Sequence, residues 1–345
     1  HDGKLVRTKW VDRMKGSQVK SRFCATEVAY DARGDTHAGT PPLCAIRYLL
    51  SSAATGRPRC VAIHDITCAF LHASMKGEPT IYLVLPPEMA PPGMRGRLVV
   101  ALHGTRRASF LWGEKVASTF ASEGLNRSKV CGQVFWHPQK GLECTIHGDD
   151  LLTVGDEEAL AWFDQMVNKH FLVKQCAVLG PKPTQQKRTS FLNRTIELVV
   201  GKGFVYSPNP KHIDEVVEEL GLAQAKPVAA PAVRDGGQVL REACDLLGPQ
   251  EAAMFARCTG KVVYFSADRI EGAYVVRLLA QALKTPSQLD LMRLKHLAKF
   301  LKGTRDWCWV YCFQPEVSTL VGFSDSDWAT CPKTRRSVSS RKALP

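Results

Sequence analysis

The first patterned stretch is KLVRTKWVDRMKGSQVKSRFCATEV, where Leu5, Arg7, Lys9, Val11 and Arg13 recur every second residue up to a Lys15-Gly16-Ser17 break. A second run follows from Val19 to Phe23. Period two on both sides of a Gly-Ser break predicts a β-hairpin with Lys and Arg along it. Residues 40–52 (TPPLCAIRYLLSS) open on proline and then space Leu43, Ile46, Leu49 and Leu50 helically, which predicts a buried helical face. CVAIHDI, residues 60–66, is a short apolar run after Gly56-Arg57-Pro58 and predicts a buried strand with Asp65 at its end. Leu111, Trp112, Val116 and Phe120 predict a helix behind the basic turn HGTRRAS. In ECTIHGDDLLTVG two apolar strands flank Gly148-Asp149-Asp150, so a hairpin turn carries adjacent carboxylates. Residues 157–171 are amphipathic through Leu160, Phe163, Met166, Val167 and Phe171, with acidic residues in the first turn. Helical spacing returns at 212–220 and 286–301, and 226–238 has the Pro, Gly and Ala content of a linker.

Composition narrows the class. With 45% apolar and 23% charged residues in 345, the chain holds enough core for two domains or one multi-lobed domain. No apolar run approaches the roughly 20 residues of a membrane span, and HDGKLVRTKW lacks a signal-peptide core, so neither a membrane nor a secreted protein is expected. The twelve cysteines form no CxxC pair and read as thiols of a reducing compartment. The His1 opening and RKALP end suggest a piece of a longer polypeptide. The net charge of +13 is clustered: residues 93–130 carry seven Lys or Arg against two Asp or Glu. Clustering of this kind favours a polyanion partner.

The carboxylates give the basic chain its chemistry. If the strand ending in Asp65 neighbours the hairpin bearing Asp149 and Asp150, three carboxylates converge and repel one another. Bound divalent cations remove that cost, and an all-oxygen donor set suits Mg²⁺ rather than zinc. Two such ions serve in-line displacement at phosphorus. Neighbouring strand residues point to opposite faces, so Asp65 and Asp149 are expected as direct ligands of both metals, with Asp150 a weaker or single-metal partner.

These segments, in order, resemble the reverse transcriptase of copia-type LTR retrotransposons. KLVRTKWVDRMKG…VKSRFCATEV is similar to its fingers hairpin, HDITCAFLHASMKGEPTIYLVLPPE to MDVKTAFLNG…IYM..P, ALHGTRRASFLWGEK to LYGLKQAPRAWY and IHGDDLLTVG to YVDDLLIVG. FLNRTIE is similar to FLGIEI, KHLAKFLKGT to KRVLRYLKGT, and GFSDSDWAT…RRSVSS to the start of a ribonuclease H domain. The resemblance implies an α+β right-hand polymerase: fingers and palm over 1–204, a helical thumb over 205–285, a connecting helix and strand over 286–316, and a truncated ribonuclease H start over 317–345. Asp325 matches that nuclease's first carboxylate, but too little chain follows to complete its site.

The resemblance further implies RNA-directed DNA polymerase activity, with Asp65, Asp149 and Asp150 as catalytic carboxylates holding two Mg²⁺ ions, Mn²⁺ being the substitute. Lys20 and Arg22 would hold the triphosphate, Phe70 would exclude a 2′-hydroxyl, Gly104 would let backbone approach the nucleotide and template, and Arg106 and Arg107 would contact phosphates. Implied partners are RNA and DNA template-primer, dNTPs and the rest of the retrotransposon polyprotein. The implied location is the cytoplasm, in a virus-like particle, with the nucleus as a second compartment. Departures are His147-Gly148 for Tyr-Val, Asn193 for glycine, and Arg107-Ala108-Ser109 for Gln-Ala-Pro. Two other readings compete. An RNA-directed RNA polymerase also fits a GDD turn, but Phe70 opposes it. An inactive nucleic-acid-binding remnant would keep the fold and the basic cleft.

Overall fold

The computed structural model describes residues 3–28, 41–57, 59–233, 244–319 and 321–322. By contacts the chain divides into two units, His1–Gln186 and Lys187–Pro345.

In the first unit, the hairpin expected from the alternation is formed by β1 (Lys4–Lys15) and β2 (Gln18–Ala25), closing at Gly16 with φ +64°. Their register sets Arg13 opposite Lys20 and Val11 opposite Arg22, so these cations share one face. Trp10 opposite Phe23 and Met14 opposite Val19 occupy the other. β1 also runs parallel to β4 (Ile81–Val84), which pairs with β5 (Arg95–Arg97), giving the order β2-β1-β4-β5.

A second, antiparallel sheet holds β3 (Cys60–Ile66), β6 (Asn126–Arg127), β7 (Val134–His137), β8 (Leu142–His147), β9 (Asp150–Gly155) and β10 (Val173–Leu179) in the order β10-β3-β9-β8-β7-β6. Every residue of β3 is buried except Asp65, which is why the strand reads as a continuous apolar run. Packed on the sheet are α1 (Leu43–Ala53), α2 (Ala108–Ser122) and α3 (Glu157–His170). α3 begins where Asp156 accepts the Ala159 N–H at 2.9 Å, with Glu157 and Glu158 in its first turn and Lys169 and His170 in its last. Cap and charges both complement the helix dipole. Between α2, α3 and the sheet, Phe120 meets Phe135 and Phe163 edge-on at 5.1 and 5.8 Å within a core that includes Trp112, Leu142 and Leu151.

The second unit combines a sheet with helices. β11 (Arg188–Phe191), β12 (Arg194–Val199), β13 (Gly203–Ser207) and β14 (Trp309–Cys312) lie in that order. β13 takes a partner from the far end of the chain, Tyr206 lying opposite Trp309, so the contact division falls before residue 204, which lies inside β13. α4 (Lys211–Glu219), α5 (Pro249–Ser266), α6 (Ala273–Gln281) and α7 (Gln288–Gly303) share one apolar core around Phe255, Leu279, Leu294 and Leu297. α7 starts with a reciprocal capping box between Ser287 and Asp290. Of the expected ribonuclease H start, residues 323–345 including Asp325 lie outside the described residues. Among the described residues, no helix is long and apolar enough to cross a membrane.

Candidate active site

The buried strand β3 and the β8–β9 hairpin are neighbours, and their register brings the carboxylates together. Asp65 lies directly opposite Asp150. Directly opposed residues of an antiparallel pair project from the same face, with Cβ atoms about 5 Å apart. Asp65 and Asp150 are therefore the pair that the register brings face to face. Strand alternation does not reach Asp149, because it belongs to the turn: His147 pairs with Asp150, leaving Gly148-Asp149 as a two-residue loop. Gly148 has φ +66°, the left-handed first position that a tight hairpin of this twist needs. Two bonds pin the loop, the Trp112 indole N–H donating to the Gly148 carbonyl at 2.7 Å and the Ile66 N–H to the Asp149 carbonyl at 2.8 Å. Asp149 is therefore exposed at the tip while Asp65 and Asp150 are half-buried beside it.

Burial first, then the negative charges of Asp149 and Asp65, push the Asp150 carboxyl up to about 6. Such mutual repulsion is relieved by a cation, and three carboxylates form a hard donor set suited to Mg²⁺ or Mn²⁺. By this test the residues fit a divalent-metal site. Among the described residues, no three His, Cys, Asp or Glu side chains are gathered into a ready-made metal cage.

The other expected residues lie in different local settings. Lys20 and Arg22 are exposed on the same face of β2. Phe70 lies in the turn Ala69–His72 after β3, half-buried against two apolar clusters of the unit. Gly104 has φ +85°, and a Cβ there would lie 1.9 Å from the Ala25 carbonyl oxygen. Close backbone approach to β2 thus demands this glycine. Gly104→Ala should cost about 2–4 kcal/mol of stability, measured by urea unfolding, whereas a loss below about 1 kcal/mol would show that the turn is free to move. The Arg106 backbone N–H donates to Glu27 Oε2 at 2.8 Å. Arg107 is clamped by Glu78 through bonds of 2.6 and 2.9 Å and covers the Phe110 ring. A phosphate contact by Arg107 therefore requires that pair to open.

Two residues at the site were not foreseen from the sequence. The His103 ring lies 4.6 Å from Phe70. Its pKa is lowered by burial and by Arg22, against the pull of Asp149, so it borders both the basic face and the carboxylates. Cys176, where the β10–β3 register shifts, has its thiol pKa raised by burial and then by Asp65. Neither carries a sequence signal, since a histidine in a turn and a cysteine in a strand are unremarked alone.

The sequence profile of the family described as "Reverse transcriptase (RNA-dependent DNA polymerase)" matches residues 1–234. The chain belongs to the reverse transcriptase family. It is 23% identical over 97% of its length to the retrovirus-related Pol polyprotein from transposon TNT 1-94 of Nicotiana tabacum, covering 24% of that protein. To the Pol polyprotein from transposon RE2 of Arabidopsis thaliana it is 23% identical over 77% of its length, covering 17%. The chain thus spans about a quarter or less of these copia-type relatives. Among solved structures, a telomerase from Candida albicans in complex with a fragment of telomeric RNA aligns with a TM-score of 0.33 at 8% identity, covering 88% of this chain and 61% of that one. The family and the mixed α+β architecture fit a right-hand polymerase.

As a reverse transcriptase the chain departs from the usual motifs, and the structure accommodates the departures. Gly148 supplies the positive φ of its turn. Asn193, where glycine is usual, has φ +61° in the β11–β12 hairpin, and asparagine tolerates that region better than most residues. Arg107, in place of glutamine, makes the pair with Glu78.

Proposed function

We propose that this chain carries the RNA-directed DNA polymerase centre of a copia-type Pol polyprotein, extending a primer with dNTPs on RNA and DNA templates. The observation that carries the proposal is the opposition of Asp65 and Asp150 beside the Asp149 tip, in a chain of this family. Asp65, Asp149 and Asp150 hold two Mg²⁺ ions, or Mn²⁺. When bound, these ions lower the pKa of the attacking hydroxyl and neutralise charge on the leaving oxygen. In the transfer, the primer 3′-oxygen forms a bond to the α-phosphorus as the bond to pyrophosphate breaks. The hydroxyl proton passes to solvent. Lys20 and Arg22 neutralise the triphosphate, Lys as a point charge and Arg as a fork. Phe70 sits where a 2′-hydroxyl would be excluded, and Arg106 meets template phosphate. The helical part of the second unit serves as the thumb, with a virus-like particle in the cytoplasm as the setting.

Primer extension with Mg²⁺ on RNA and DNA templates tests the proposal directly. Incorporation of dNTPs is expected on both; retained template binding without extension would support the inactive-remnant reading instead. A polymerase must travel over any sequence, so its template affinity resides in phosphates and should fall steeply with salt. Replacing Lys20 and Arg22 with Ala should raise the dNTP KM about tenfold while changing duplex affinity less than threefold. Equal losses in both would reassign the two residues to the general basic surface.

A further inference from the structure

Phe70 is held from several directions. Its side chain packs against the core cluster that includes Ile66 and Trp112 and against a second cluster that includes Ala25 and Leu102. Over it lies the His103 ring, at 4.6 Å between centroids and tilted by 50°. His103 is itself fixed by β2, because its carbonyl accepts the Ala25 N–H at 2.7 Å and the next carbonyl, of Gly104, accepts the Glu27 N–H at 3.2 Å. Ala25 ends the strand that carries Lys20 and Arg22.

We propose that His103 is a positioning residue: its ring holds Phe70 in the orientation that excludes a 2′-hydroxyl, and its backbone ties that orientation to the strand bearing Lys20 and Arg22. This rests on the polymerase reading of Phe70 given above. A half-buried phenylalanine in a single turn has more than one staggered side-chain well open to it. A neighbouring ring at this distance and tilt favours one of them, by the edge-and-face attraction of aromatic pairs. Burial and the Arg22 charge disfavour the protonated imidazole, so His103 packs as a neutral ring. Ring shape, rather than any proton carried, is then what position 103 requires.

The discriminating measurement is the ratio of kcat/KM for dNTP over rNTP. Phe70→Ala should lower this ratio about tenfold or more, and His103→Ala about threefold to fivefold. His103→Phe, which keeps a ring, should return it to within about twofold of the parent. In the double variant the loss should not exceed that of Phe70→Ala alone, since a positioning residue has no effect once the ring it positions is gone. A second readout is independent of turnover: 4-fluorophenylalanine at position 70 should shift its ¹⁹F resonance in His103→Ala and recover in His103→Phe. An unmoved resonance, or a selectivity loss that adds to that of Phe70→Ala, overturns the proposal. Unchanged selectivity in Phe70→Ala, with the resonance still responding to His103→Ala, would overturn instead the sugar-exclusion reading beneath it.

Discussion

Asp149→Asn is expected to lower primer extension about a thousandfold or more while template-primer affinity stays within about threefold of the parent. The two effects separate because of where Asp149 sits. It is an exposed residue at the tip of a two-residue loop whose backbone is held by Trp112 and Ile66, so its side chain contributes nothing to the fold that Asn cannot replace. What Asn cannot replace is the full negative charge beside Asp65 and Asp150, which in the proposed centre would hold divalent cations against the developing charge of the transferred phosphoryl group. On the proposed reading, template affinity comes from Lys and Arg contacts to phosphates, none of which the substitution removes. Extension rates with Mg²⁺ and filter-binding affinities on one preparation measure both quantities. Extension within tenfold of the parent would exclude Asp149 as a metal ligand and with it the proposed centre.

The elements around this centre were legible because each follows a simple local pattern. The alternation of Leu5, Val11, Val19 and Phe23 about Gly16 became the β1–β2 hairpin, and the apolar run at 60–66 became β3 with the bounds expected. The helix expected over 157–171 is α3, Glu157–His170, because its cap, end charges and apolar stripe agree. Local pattern says little about pairing between distant segments. β10 borders Asp65 from a segment, VKQCAVL, in which Lys174, Gln175 and Cys176 are exposed in succession and the register shifts at Cys176, so no clean alternation announces it. β13 pairs with β14, about a hundred residues further along the chain, and no local pattern announces that pairing.

The site shows the same division. Asp65, Asp149 and Asp150 could be named from the sequence, but which of them face each other could not, because alternation stops at a turn and the register decides. Arg107 looked like a free loop cation, and the acid that holds it, Glu78, is distant in sequence. His103 became visible only once Phe70 lay against it. Gly104 was singled out as a point of close approach to substrate, and the close approach found is to the Ala25 carbonyl. The residue type was informative and its neighbour was not.

Asp150→Asn should make the metal-free protein more stable at about pH 7.5, and the gain should disappear near pH 4. In the folded chain the Asp150 carboxyl titrates near 6, against 3.8 for an unperturbed aspartate, because it is partly buried and faces Asp149 and Asp65. Between those values the folded chain keeps a proton that the unfolded chain has released. Stability contributed by this group is therefore present at low pH and is lost as pH rises through that window. Asparagine carries no charge to desolvate or repel, so the variant escapes the loss. Asp150 is only half-buried, and solvent screens part of the repulsion, so the expected gain in melting temperature is modest, about 2–4 °C at pH 7.5. Mg²⁺ provides the complementary measurement. By neutralising the same repulsion it should raise the melting temperature of the parent at pH 7.5, more weakly at pH 5 where protons compete for Asp150, and less at either pH in the variant. Melting curves at pH 4, 5 and 7.5 with and without Mg²⁺ give every comparison. A variant no more stable than the parent at pH 7.5, or one equally stabilised at pH 4, would mean that the three carboxylates do not repel one another as their register implies, and that the ground-state tension relieved by a cation is absent.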